Sequence, residues 1–297
     1  MIGEKRYYEY YKKGIFKIIP KKIIPPTRAR ILDNIYNSDG ESIGKVGGVI
    51  LNSSHIDKRD LIQRFTNGIK KIKDESTDNL IIEEQCLFDR EDIELIENRT
   101  NLKVLSGIKV LVNYLPFILD NIYKSLNENL REKEVLIIGD QGELTKELIE
   151  SLHKSTRFIT LTGDYEDSIE DIYNYILEKT GLSIFYSKHI HKIAKNYFIV
   201  INLKNKGYID VESLRPKALI FDLSIEEEFK ISPRGYGKRA IIEDFLFKAK
   251  DLGIEKNKWI GDTVSSRIYE NFCSSISTEP RALMVNRNCN NANVVYL

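Results

Sequence analysis

The residues best placed to do chemistry fall in one short run, Gly139-Asp140-Gln141-Gly142. Four apolar residues, Val135 to Ile138, precede it, and Leu144, Leu148, Ile149 and Leu152 follow at helical spacing. That pattern reads as a buried strand, a tight turn and a helix. Such a turn gathers backbone N–H groups and the positive end of a helix dipole, which is chemistry suited to a phosphate or pyrophosphate. Asp164 comes 25 residues after Gly139, close to where a carboxylate holds a ribose diol, though it also suits a cap for a helix over 165–179. Thr162 and the absence of nearby Arg weigh against a 2′-phosphate. Asn202 ends a later strand, where a polar side chain meets the nicotinamide side of a dinucleotide. It could equally turn the chain before Lys204-Asn205-Lys206-Gly207. A cofactor, NAD or NADP, is therefore expected on Gly139, Asp140, Gln141, Gly142, Thr162, Asp164 and Asn202.

Two further residues are catalytic candidates. Lys109 opens a long helical pattern and could donate to a substrate carbonyl or carboxylate, or be a solvated lysine. Cys86 closes an expected strand and could face the cleft as a nucleophile, although a small core thiol is the more ordinary reading there. His189 and His191 have H-x-H spacing without a third ligand in view, so no metal is expected. Glu226-Glu227-Glu228 reads as a solvated face, and Ser232 to Gly237 as a loop whose Arg234 could bind an anion.

These residues need elements to place them. From Arg28 the pattern is that of a small α/β unit. Asp39-Gly40 is a turn, 46–51 a strand, 57–73 a helix capped by Asp57, 79–87 a strand, 89–99 a helix and 102–105 a strand. A long helix over 107–130 carries Pro116, which should kink it or delay its start. Strands at 135–138, 158–161, 182–186, 197–201 and 218–223 then alternate with helices at 143–154 and 168–179, a short helix at 188–195 and a turn at 211–215. The expected fold class is α/β, a Rossmann-type doubly wound parallel sheet with a smaller N-terminal α/β domain. Helices are expected at 237–253 and 259–276, and a frayed end at 286–293. The corresponding domains are 1–115 for substrate or partner, 116–230 for the dinucleotide, and 231–297 as helices packing back on the first.

Composition narrows the function. A chain of 297 residues with 42% hydrophobic and 30% charged residues can bury two cores, and its net charge of +1 exerts no pull toward nucleic acid. The three cysteines form neither a disulfide framework nor a zinc site, and no segment has the roughly 20 apolar residues of a membrane helix. A cytoplasmic protein with no membrane span is expected, its partners a small-molecule or acyl substrate and, at most, a second copy as homodimer.

The layout resembles the shikimate-dehydrogenase-like group of two-domain NAD(P) enzymes, and within it the aldehyde-forming long-chain acyl-ACP reductases. The likeness is carried by Pro25-Pro26, Gly40-Glu41-Ser42-Ile43-Gly44-Lys45, Gly68 to Ile72, Ser106-Gly107, Gly139 and Gly142, Asn202 and Asp222, across residues 25–225. It implies an NAD(P)-dependent oxidoreductase acting on a small carbonyl, acid or acyl substrate in an interdomain cleft. The chain departs from it in three respects, one being that no cysteine lies where an acyl-thioester nucleophile would be expected, Cys273 coming late. Thr145 stands where a third glycine would let helix and strand pack closely, and Ser106-Gly107-Ile108-Lys109 replaces the polar run of such reductases. These departures support the alternative, a degenerate Rossmann protein that binds a nucleotide or a partner without catalysis.

Overall fold

The structure, a computed structural model, describes residues 1–11, 29–49, 51, 56–83, 87–140, 142–189, 193–203, 211–224, 240–272, 278–288 and 291–297. In chain order the elements are α1 (Glu4–Tyr11), β1 (Arg30–Tyr36), β2 (Ser42–Gly48), α2 (Lys58–Ile72), β3 (Asn79–Leu80), α3 (Arg90–Thr100) and β4 (Lys103–Val104). There follow α4 (Ile108–Ser125), β5 (Glu134–Gly139), α5 (Gly142–Leu152), β6 (Phe158–Gly163), α6 (Ile169–Thr180), β7 (Phe185–Tyr186), β8 (Ile199–Asn202) and β9 (Leu219–Asp222). The chain closes with β10 (Ile241–Lys248), β11 (Thr263–Val264), α7 (Ser266–Phe272), β12 (Ala282–Asn288) and β13 (Asn291–Tyr296). Two compact units result: Met1–Ser106 with Lys248–Ile276, and Gly107–Phe247 with Ser277–Leu297.

In the first unit, β1 and β2 form an antiparallel hairpin around Asp39-Gly40, where Gly40 takes a φ of +80° that a side chain would resist. Helix α2 starts because the Asp57 carboxylate accepts from the Asp60 N–H, and it buries Leu61, Ile62, Phe65 and Ile69. Helix α3 starts with a reciprocal capping box between Asp89 and Asp92, and Lys58 pairs with both carboxylates. Lys58 holds the Asp89 carboxyl below the usual carboxylate range. The segment 248–276 is tied to this unit by Arg6 Nη2 donating to the Trp259 carbonyl (2.9 Å), by Asn79–Asn271 (2.8 Å) and by Arg267 Nη1 to the Ile82 carbonyl (3.2 Å).

The second unit is built on a sheet with strand order β13-β12-β10-β9-β8-β5-β6-β7. Its parallel part, β10-β9-β8-β5-β6-β7, has the order 6-5-4-1-2-3 when numbered from β5, which is the doubly wound order of dinucleotide-binding sheets. Val135 to Ile138 and Ile199 to Ile201 are buried, as a strand covered on both faces requires. The chain is an α/β protein with a large, mostly parallel sheet. Helix α4 runs through Pro116 rather than starting after it.

Several expected elements differ, among them the strands at 79–87 and 182–186, of which Asn79–Leu80 and Phe185–Tyr186 are strand among the described residues. The run Ile241–Lys248, expected within a helix over 237–253, is β10, whose Ile241, Ile242, Phe245, Leu246 and Phe247 are all buried. An apolar run covered on both faces loses the alternation that would mark it as a strand, so its spacing also matches a helix. The region 259–276 holds the two-residue β11 and the short α7 rather than one helix. The end expected to fray is instead β12, antiparallel to β10, and β13, antiparallel to β12.

Candidate functional site

The parallel strands of the second unit end along one edge of its sheet, and ligands of doubly wound folds bind beyond that edge, where the strand order reverses. Here the reversal lies between β5 and β8. Gly139 closes β5, Gly142 opens α5 directly after it, and the first-turn N–H groups of that helix have no partner within the helix itself. Asp140 is half-buried between them, and Gln141 lies outside the described residues. The next strand is held in step beyond its own end, since the Asp164 N–H donates to the Gly139 carbonyl at 3.0 Å. The side chain of Asp164 is exposed at that edge. Glu166 and Asp167 are also exposed, and Lys188 pairs with Glu166 at 2.7 Å.

Both glycines at this edge answer to packing. A Cβ on Gly139 would sit 2.0 Å from the Tyr165 hydroxyl, so the phenol lies directly on the bare Cα. A Cβ on Gly163, at φ +118°, would sit 2.1 Å from the Gly139 carbonyl oxygen. Tyr165 is fully buried, and its hydroxyl shares a 2.7 Å hydrogen bond with the Thr145 hydroxyl, which is also fully buried. Thr145 therefore fits in place of a third glycine because Tyr165 satisfies it. Burial pushes the Tyr165 phenol well above its ordinary range, with the Thr145 hydrogen bond opposing weakly. It stays protonated. Tyr186 stands edge-on to Tyr165, with centroids 6.4 Å apart, and donates to the Gly163 carbonyl at 3.0 Å.

On the other side of the reversal, Asn202 and Asp222 face each other in register across β8 and β9. Asn202 is fully buried, and its Nδ2 donates to Asp222 Oδ1 at 2.9 Å. The same oxygen accepts from the Ser224 N–H (3.2 Å) and hydroxyl (2.6 Å). Asn202 thus supports a buried carboxylate. Thr162 is buried within β6 opposite Ile138. Lys109 is exposed on the first turn of α4. That helix stands by the same edge of the sheet, because its Tyr114 packs edge-on to Phe247 (5.3 Å), and Phe247 extends β10 past the end of β9.

The structure thus gathers Gly139, Asp140, Gly142, Asp164 and Asn202 along one edge, while Cys86 and His191 lie outside the described residues. Among the described residues no group of three or more His, Cys, Asp or Glu is arranged to hold a metal. Sequence reasoning missed Tyr165. Its only sequence signal is that it directly follows Asp164, twenty residues after the out-of-pattern Thr145. The pairing of Asn202 with Asp222 was open to discovery, since both end neighbouring parallel strands.

No protein-family model matches the sequence, and no curated protein does. Solved structures give partial overlaps. L-tryptophan dehydrogenase from Nostoc punctiforme is 16% identical over 60% of this chain and 50% of that one, with a TM-score of 0.33. Quinate dehydrogenase from Corynebacterium glutamicum, solved with NAD, is 13% identical over 42% and 45%, with a TM-score of 0.30. Shikimate 5-dehydrogenase from Listeria monocytogenes, solved with shikimate and NAD, is 15% identical over 41% and 45%, with a TM-score of 0.28. The chain spans about half the length of these structures. Function has to come from the chain's own residues.

Proposed function

We propose that the protein is an NAD-dependent oxidoreductase acting on a small carbonyl, acid or acyl substrate. The observation that carries this reading is the pairing of a glycine turn at a helix N-terminus, Gly139 to Gly142, with an exposed carboxylate, Asp164, at the end of the adjacent strand. The residues fit a dinucleotide in a particular way. Tyr165 takes up the space over Gly139, so the pyrophosphate is held by the backbone of Asp140 and Gly142 and the first turn of α5. Asp164 accepts from the ribose hydroxyls. Glu166 is offset by Lys188, and the carboxylates of Asp164 and Asp167 repel a 2′-phosphate, which selects NAD over NADP. The cofactor, once bound, supplies the hydride. The exposed ammonium of Lys109 is the chain's candidate for polarising a substrate carbonyl.

Binding is tested by a thermal-shift titration with NAD, NADH, NADP and NADPH. A ligand at about 100 times its Kd stabilises by roughly 2.7 kcal/mol, a rise of several degrees in Tm. The expected result is a rise with NAD or NADH, little or none with NADP or NADPH, and loss of that preference in Asp164→Ala. No rise with any of the four sinks the reading. Once a substrate is found by following NADH absorbance over a panel of keto acids, aldehydes and acyl thioesters, Lys109→Ala should lower kcat/KM by about 10²-fold. An unchanged kcat/KM would remove Lys109 from the chemistry.

The second reading, a sheet of this kind without catalysis, is favoured by one observation. Tyr165 covers Gly139, and Asn202 is spent on Asp222, so two residues expected to meet a cofactor are engaged within the chain. It gains if no nucleotide shifts the melting temperature.

A further inference from the structure

Asp164 is restrained from both sides. Its own N–H donates to the Gly139 carbonyl at 3.0 Å, which ties its backbone to the end of β5. Before it, Gly163 has no room for a side chain against that same carbonyl oxygen, and the Gly163 carbonyl accepts from the Tyr186 phenol at 3.0 Å. After it, Tyr165 turns inward, and its hydroxyl shares a 2.7 Å hydrogen bond with Thr145 in the first turn of α5. The Ser168 N–H donates to the Tyr165 carbonyl at 2.9 Å, which carries the restraint to the start of α6. Tyr165 and Thr145 are fully buried, whereas the Asp164 side chain is exposed.

One distance is fixed in this way, that from the Asp164 carboxylate to the N-terminus of α5. Pairing of β5 with β6 does not set it, because β6 ends at Gly163 and α5 begins beyond the turn. The bond between Tyr165 and Thr145 crosses directly from the loop after β6 to the helix. A dinucleotide has to meet both places at once, its pyrophosphate on the helix and its ribose on the carboxylate. Contacts already held at the right spacing need no ordering when the ligand arrives, so they cost less affinity than mobile ones.

We infer, on the dinucleotide reading of this edge, that Tyr165 is a positioning residue: anchored to Thr145, its phenol holds the Asp164 carboxylate at the spacing from α5 that a pyrophosphate-linked ribose requires. Tyr165 touches no ligand itself and acts through Asp164. A glycine at position 145 would offer no hydroxyl, so the departure from the glycine pattern is what supplies the anchor.

The test compares NAD with its analogue lacking the adenosine 2′-hydroxyl, by calorimetric titration well below Tm. Losing that hydroxyl takes a donor from Asp164, so the wild-type chain should bind NAD about tenfold more tightly than the analogue. Tyr165→Phe keeps the ring and removes the anchor. It should weaken NAD about fivefold and the analogue by less than about twofold. Thr145→Val removes the other end of the bond, should give the same pattern, and stands in if Tyr165→Phe does not fold. Tyr175→Phe, which removes a 2.9 Å hydrogen bond to Glu150 farther along the same two helices, should change neither Kd. An unchanged Kd for NAD in both anchor variants overturns the inference and leaves the pair to packing. Equal weakening of NAD and the analogue also overturns it, because the phenol would then shape the turn and not the carboxylate. Both of those outcomes leave NAD binding, and the dinucleotide reading, intact. A wild-type chain that binds the two ligands alike takes the ribose away from Asp164, and one that binds neither ends the dinucleotide reading; the inference falls in either case.

Discussion

Gly163→Ala should abolish folding of the sheet unit. The new methyl would lie 2.1 Å from the Gly139 carbonyl oxygen, at a backbone φ of +118° that L side chains rarely adopt. The obstacle is backbone, and that backbone is held, because the same Gly139 oxygen accepts the Asp164 N–H that continues the β5–β6 ladder. Relief requires parting the two strands. A cost of about 4–5 kcal/mol or more is expected, at the extreme of single substitutions. Soluble yield and a denaturant midpoint would show it. A well-folded Gly163→Ala with a Tm within about 2 °C of wild type would mean that the turn is far softer than its geometry implies.

Gly139→Ala should cost about 2–4 kcal/mol with no ligand present, and Tyr165→Phe should return part of that loss. The added Cβ would strike the Tyr165 hydroxyl at 2.0 Å and the adjoining ring carbon at 3.0 Å, so removing the oxygen takes away the worst contact. Tyr165→Phe alone should cost about 1 kcal/mol, because it removes the 2.7 Å hydrogen bond to the buried Thr145 hydroxyl. The double variant is therefore less damaged than the sum of the two, by more than about 1 kcal/mol. Strict additivity in urea unfolding would show that the glycine does not serve the phenol. Nucleotide titration of Tyr165→Phe, which keeps Gly139, separates this packing role from any effect on a cofactor.

The parts that sequence made legible are those with local causes. Asp57 before Leu61 and Ile62 announces α2, and Asp39-Gly40 announces its turn, because caps and turns are decided within a few residues. Val135 to Ile138 stood out as a buried strand because a glycine turn and a helical pattern bracket it. Ile241 to Lys248 has the same covered-on-both-faces character, but its apolar spacing also fits a helix, and the sequence predicts one over 237–253. The β1 strand carries no sequence signal, because Arg30 to Tyr36 mixes polar and apolar residues on a half-covered hairpin. At the candidate site, the glycines, Asp164 and Asn202 could be placed at strand ends from their order in the chain. What could not be read was engagement. Only three dimensions show that Tyr165 closes over Gly139 and that Asn202 spends its amide on Asp222.

The chain leaves the sheet unit after β10, contributes 248–276 to the other unit, and then returns to lay β12 beside β10, with Leu283 opposite Phe245. Neither unit is therefore a contiguous stretch of polypeptide. During synthesis on a ribosome, β10 is made with its β12 side still bare and waits for the intervening residues before its neighbour emerges. The closure spans long sequence separations, which makes the final step slow relative to local helix formation. Cutting the gene between the two units yields no independent half, since each cut removes a segment that the other half encodes.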